Sequence, residues 1–201
     1  MKHRVVVAIS GASGAVLGVR VLQLLAAADG VETHLVVSGA AELTLEQEVG
    51  PEAIHSLREL ADVVHPIDAI GATIASGSFR TSGMIVAPCS MRTLGAIVSS
   101  LSDNLLVRAA DVHLKEGRRL VLLTRETPLH LGHLRLMLAA TEMGAVIAPP
   151  VPAFYRRPQS VDDIVKATAA RAIDLLGIGL DVDSNRWAGL QAAGHRLASS
   201  Q

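Results

Sequence analysis

Five short stretches carry the residue types that could do chemistry: Gly11–Ala15, Ser38, Cys89–Thr93, Arg125-Glu126 and Pro149–Tyr155. Gly11-Ala12-Ser13-Gly14-Ala15 joins glycines, which let a backbone turn sharply and approach a ligand, to one hydroxyl. A helix opening here would turn free N–H groups and a positive dipole end toward a phosphate. The dinucleotide fingerprint Gly-x-Gly-x-x-Gly is absent, which disfavours NAD. Ser90-Met91-Arg92-Thr93 brings two hydroxyls and a cation to a second helix start, a second anion site. Arg125 and Glu126 are candidates for phosphate binding and proton transfer, or else form a local surface ion pair. Pro149–Tyr155 is stiffened by prolines and carries Phe154 and the only tyrosine. An aromatic held there could cover a flat cofactor or close a small apolar pocket. Arg171 lies among the small residues Ala167 to Ala172, either on a solvated face or pointing inward at a phosphate.

Other reactive types read more plainly. Cys89, the single cysteine, has no arranged base and reads as a small buried hydrophobe. Ser76, Gly77 and Ser78 read as loop residues near a ligand. His130 and His133 stand three apart, a possible metal spacing. No third ligand of matching type lies near and no His-x-x-x-His or Cys-x-x-Cys occurs, so no metal site is expected.

Aliphatic runs alternating with helical patterns must position these loops. Strands are expected at Val5–Ile9, Thr33–Val37, Met84–Ala87, Leu120–Leu123 and Ala145–Ala148. Helices are expected at Val16–Ala27, Leu101–Leu114, Leu129–Met143 and Val161–Leu176, the last with Ser160 as N-cap and Gly177 at its end. Ala40–Leu60 is helical with a break near Gly50-Pro51. The alternation implies parallel βαβ units with right-handed crossovers: an α/β, doubly wound, mainly parallel sheet with helices on both faces. In such a sheet ligands sit beyond the carboxyl ends of the strands, where the five loops converge. One domain is expected over residues 1–180. The tail 181–201, polar apart from Trp187, is expected to pack on a neighbouring subunit.

Composition agrees. Half of the 201 residues are hydrophobic and only 18% are charged, with one Trp, one Tyr and two Phe, so the core is aliphatic. Strands buried on both faces have this composition. The net charge of −1, without a basic run, argues against nucleic acid or an anionic membrane as partner. A single cysteine excludes an internal disulfide and suggests a reducing, cytoplasmic setting. The longest charge-free stretch, Val5–Val19, has 15 residues, short of the ~20 that span a bilayer. Lys2-His3-Arg4 before Val5–Ile9 imitates a secretory signal, but Ser10 and Gly11 interrupt the apolar run early. High hydrophobicity with few charges points to a homo-oligomer.

Seven stretches in order resemble the UbiX-like flavin prenyltransferases: Gly11–Ala15, Ala75–Phe79, Pro88–Ser90, Arg108–Val112, Leu114–Glu116, Arg125–Arg135 and Pro149–Pro158. The resemblance implies transfer of a dimethylallyl group, usually from dimethylallyl monophosphate, to N5 and C6 of reduced FMN without a metal. The product, prenylated FMN, serves a separate UbiD-type decarboxylase, and the enzyme is typically a homo-oligomer, often a dodecamer. By the same resemblance Gly11, Ala12, Ser13, Ser38, Ser90, Met91, Arg92, Thr93 and Arg125 hold FMN. Lys115, Tyr155 and Arg171, with Arg108, hold the dimethylallyl phosphate, while Glu126 transfers a proton and Lys115 assists catalysis. Four positions depart from the common pattern. Leu17 replaces a frequent tyrosine, Gly39 a lysine, His113 an aliphatic residue and Gly117 an arginine. Two other functions share the cofactor: an FMN-dependent decarboxylase acting on cysteine peptides, and a non-catalytic flavin carrier. The first is disfavoured by Pro149-Pro150-Val151-Pro152, where that class has a Pro-x-Met-Asn type motif.

Overall fold

The computed structural model describes residues 2–182. The chain runs β1 (His3–Ile9), α1 (Ala15–Ala26), β2 (Val31–Val37), α2 (Gly39–Glu48), α3 (Ala53–Leu60), β3 (Val63–His65) and β4 (Gly83–Cys89). It continues through α4 (Met91–Val98), α5 (Leu105–Lys115), β5 (Leu120–Thr124), α6 (Leu131–Glu142), β6 (Val146–Ile147) and α7 (Val161–Asp174). Among the described residues the strands form one sheet in the order β3-β2-β1-β4-β5-β6. Every neighbouring pair is parallel.

The aliphatic runs form the central strands because both faces of the sheet are covered. Val5, Val7, Ile9, Leu35, Ile85, Val121 and Leu123 face one core, shared with α1, α2, α3 and α7. Val6, Ala8, Val36, Met84, Val86, Leu120 and Leu122 face the other, beneath α4 and α5 with Ala140 of α6. The order reverses between β1 and β4, since β2 lies to one side of β1 and β4 to the other. This places the ligand crevice between their carboxyl ends.

Several boundaries differ from the sequence reading. β3 was not expected: it has three residues at a sheet edge, and Val64 is exposed, so it carries no aliphatic run. The helix expected from Leu101 begins at Leu105, where Asn104 caps the chain by accepting from the Val107 amide at 3.0 Å. The stretch before it contains the separate helix α4, capped by Ser90. α6 begins two residues later than expected because His130 serves as its cap. The break at Gly50-Pro51 divides α2 from α3 as anticipated. No helix among the described residues is long and apolar enough to cross a membrane. The packing expected of the tail, including Trp187, falls mostly outside the described residues.

Candidate active site

The crevice at the strand reversal is pinned by a residue the sequence reading passed over. Ser10, fully buried at the end of β1, donates its hydroxyl to the Pro88 carbonyl at 2.9 Å. The same oxygen accepts from the Ser90 amide at 2.8 Å. The paired register of β1 and β4 ends at Ala8 and Val86; beyond it the Ser10 amide also donates to the Pro88 carbonyl at 3.2 Å. Ser90 then caps α4, accepting from the Thr93 amide at 3.2 Å and donating to Thr93 Oγ1 at 3.0 Å. On the other side of β1, the Ser38 amide donates to the Ile9 carbonyl at 3.0 Å and its side chain caps α2. Gly11 rests directly on the start of α2, where any side chain would collide with Ala40. Gly11, Ala12 and Ser13, Ser38, and Ser90 through Thr93 are thereby brought together.

One expectation needs correcting. The amides opening α1 are not free for a phosphate. The Glu48 carboxylate accepts from Gly14 N at 2.9 Å and from Ala15 N at 2.8 Å. A helix N-terminus attracts any anion, and here the chain supplies its own. More than thirty residues separate Glu48 from this loop, so no local spacing marks it. Anion-binding donors remain at the starts of α2 and α4, whose first-turn amides have no acceptor inside their helices.

The loop after β5 borders the same crevice. The Arg125 amide donates to the Cys89 carbonyl at 3.0 Å. Both Arg125 and Glu126 are exposed. Glu126 Oε1 accepts from the Thr127 amide at 3.0 Å, and no ion pair joins it to Arg125 among the described residues. Beyond β5 and β6 lies a cavity of about 160 Å³ walled by Leu123, Ala148, Pro149, Thr168 and Ala172. Tyr155 and Arg171 stand at its edge. Arg171 is exposed and pairs with Asp174 at 2.7 Å, and it also lines the cavity.

Cys89 is fully buried, and burial pushes its thiol up to about 12, so it stays protonated and unreactive. His130 Nδ1 accepts from the Gly132 and His133 amides at 3.0 and 3.3 Å. The lone pair that a metal would need therefore caps α6.

Lys115 does not join the crevice of its own protomer. Lys115 ends α5, shortly before Leu120 opens β5, and so sits at the amino edge of the sheet. A seven-residue strand such as β4 separates the two edges by roughly 20 Å. Arg108 is turned to the Ala75 carbonyl at 3.2 Å and to Asp111 at 2.8 Å.

The Flavoprotein family model matches residues 1–173. The flavin prenyltransferase UbiX of Escherichia coli is 56% identical over 187 residues, 92% of this chain and 98% of that one. That of Thauera aromatica is 54% identical over 186 residues, covering 92% and 94%. The chain belongs to the UbiX flavin prenyltransferase family. Among solved structures, AnUbiX in complex with FMN and dimethylallyl pyrophosphate superposes with a TM-score of 0.89 at 50% identity, covering 94% of this chain and 99% of that one. A dodecameric FMN-dependent UbiX-like decarboxylase from Escherichia coli gives 0.87 at 49%, covering 92% and 100%. The cysteine decarboxylase TvaF reaches 0.61 at 20% identity, a likeness of fold alone.

Proposed function

We propose that this chain is a flavin prenyltransferase that joins the dimethylallyl group of dimethylallyl phosphate to reduced FMN. The carrying observation is the pairing of two sites at one sheet edge. The first is the crevice between β1 and β4, rich in hydroxyls and amides. The second is the small apolar cavity edged by Tyr155 and Arg171. A flavin carrier has no use for the second. The donor set fits FMN: Ser13, Ser38, Ser90 and Thr93 offer hydroxyls, Met91 and Arg92 first-turn amides, and Arg125 a cation. Gly11 and Ala12 allow close approach. Reduced FMN supplies the electron-rich ring that accepts the dimethylallyl carbons at N5 and C6.

The chain's own residues do the rest. Tyr155 and Arg171 hold the donor phosphate at the cavity edge. The aliphatic walls keep water from competing for the allylic carbon as the carbon–oxygen bond breaks. Cations tighten on the phosphate as charge develops on it, with no metal required. Glu126 takes the proton lost by the flavin as the new ring closes. Lys115, with Arg108 of the same helix, reaches this phosphate from a second copy of the chain, because in its own protomer Lys115 lies at the opposite edge of the sheet. An oligomer provides that copy. Leu131, Leu134 and Leu138 form an exposed apolar stripe along α6 that a neighbour can cover, in a dodecamer like that of the Escherichia coli relative. We further read residues 1–180 as the FMN-binding domain of a cytoplasmic enzyme whose product passes to a UbiD-type decarboxylase.

The test is direct. The protein is incubated with reduced FMN and dimethylallyl phosphate, and the flavin is weighed by mass spectrometry. Addition of one dimethylallyl unit with release of phosphate is expected. Recovery of unchanged FMN under anaerobic conditions rules the reading out.

A further inference from the structure

We propose that Glu116 is a positioning residue for Lys115, held in turn by an Arg118–Thr81–His113 chain. The inference rests on the reading that Lys115 serves the donor phosphate.

Lysine carries a flexible four-carbon stem and, left alone, presents its charge in many places. Here Lys115 Nζ donates to Glu116 Oε1 at 2.6 Å. The pair is pressed against Gly77. A Cβ added there would lie 2.7 Å from Glu116 Cδ and 3.0 Å from Lys115 Nζ, so only glycine allows the approach. On its other side Glu116 faces Arg118 Nη2 at 3.9 Å. Arg118 is itself fixed: it donates to the carbonyls of Gly77 and Phe79, the latter at 2.8 Å, and to Thr81 Oγ1 at 3.3 Å.

The chain has one consistent direction. The Ala109 carbonyl can only accept, so His113 donates from Nδ1 at 2.7 Å. His113 is buried and neutral, its pKa pushed down to about 4, so Nε2 is bare and accepts the Thr81 hydroxyl at 2.8 Å. The Thr81 oxygen is then turned to receive Arg118. An exposed ion pair such as Lys115–Glu116 contributes little to stability. What this arrangement gives is a single location for the ammonium, at the far end of a braced loop. Gly117, standing where the family commonly has arginine, leaves Arg118 and Lys115 as the cations flanking Glu116.

The experiment measures prenyl transfer by the assembled protein, varying dimethylallyl phosphate. Glu116→Ala is expected to lower kcat/KM by roughly 10–100-fold, the scale of a small misplacement, with FMN retention and assembly size unchanged. Glu116→Gln recovers most of the rate because its carbonyl still accepts from Lys115. Gly77→Ala, which pushes the pair aside, is expected to lose a similar factor. In a Lys115→Met background Glu116→Ala adds less than about twofold, since the two act as one unit. A Glu116→Ala enzyme at the normal rate, or a loss that multiplies that of Lys115→Met, overturns the positioning role. Normal rate in Lys115→Met alone instead overturns the placement of Lys115 at the donor, and this inference with it.

Discussion

Acidification from pH 7 to 5 is expected to remove about 2 kcal/mol of stability through His113 alone. Its imidazole is 1% exposed on α5. Burial pushes its pKa from the ordinary 6.5 down to about 4, and the Arg118 guanidinium adds to the shift, against the opposing hydrogen bond to Ala109. The unfolded chain takes up a proton near pH 6.5, whereas the folded chain resists until about pH 4. Stability from this group is therefore complete above the unfolded value and is lost as pH falls toward the folded one. At 1.36 kcal/mol per unit, the full window is worth about 3 kcal/mol.

His113→Val, which restores an aliphatic residue, isolates this contribution. At pH 7 it leaves the Thr81 hydroxyl and the Ala109 carbonyl short of a partner, costing about 1–3 kcal/mol. At pH 5 that deficit is expected to shrink by most of the His113 contribution or to reverse. Urea midpoints of both proteins are compared at pH 7 and 5 and at one protomer concentration, because assembly also stabilises. Carboxylates held low by their partners, such as Asp62 and Glu32, titrate equally in both and cancel. Parallel pH curves for the two proteins would refute the reasoning.

Three further outcomes are expected. Ser10→Ala removes both side-chain contacts from Ser10 to the end of β4 while keeping the backbone bond to Pro88, so it is expected to cost about 1–3 kcal/mol and to weaken FMN retention measured by equilibrium dialysis; unchanged retention argues against the pin. Glu126→Gln is expected to slow prenyl transfer by ~10²–10⁴-fold while FMN stays bound, and a normal rate moves the proton elsewhere. Co-expressed Lys115→Met and Glu126→Gln chains are expected to form mixed oligomers with roughly a quarter of sites intact by random pairing across a subunit contact; activity no greater than either parent places both groups in one protomer.

The frame was legible where burial on both faces forces continuous aliphatic runs. β1, β2, β4 and β5 could be placed because Val5–Ile9 or Leu120–Leu123 leave no other reading. The loops at their carboxyl ends followed, and with them Gly11–Ser13, Ser38, Ser90–Thr93 and Arg125. β3 escaped because an edge strand of three residues has no apolar run. Glu48 escaped because its partners, the Gly14 and Ala15 amides, are backbone groups with no sequence signature. Ser10 read as an interruption of a strand, yet its burial makes it the fastening of the crevice. The resemblance marked Lys115 as a candidate but said nothing of its location. Nothing in Leu114-Lys115-Glu116 says that α5 ends at the opposite edge of the sheet.

That location explains why the departures from the family pattern fall into two groups. Leu17 is buried within the core beneath α1, so its side chain is held by packing against the sheet and offers the crevice no polar group. Gly39 opens α2, and a Cβ there would meet nothing within 4 Å. The space a lysine would use is open, and the groups left at that helix start are Ser38 and the backbone amides, where the helix dipole favours an anion. His113 and Gly117 act at the other end, around Lys115. Gly39 and Gly117 both stand where the family commonly has a cation, so the positive charge left around Glu116 is that of Lys115 and Arg118. On the reading proposed above, in which a neighbouring copy brings Lys115 to the donor phosphate, the electrostatic hold on that phosphate depends on assembly and rests on fewer cations than the family pattern supplies.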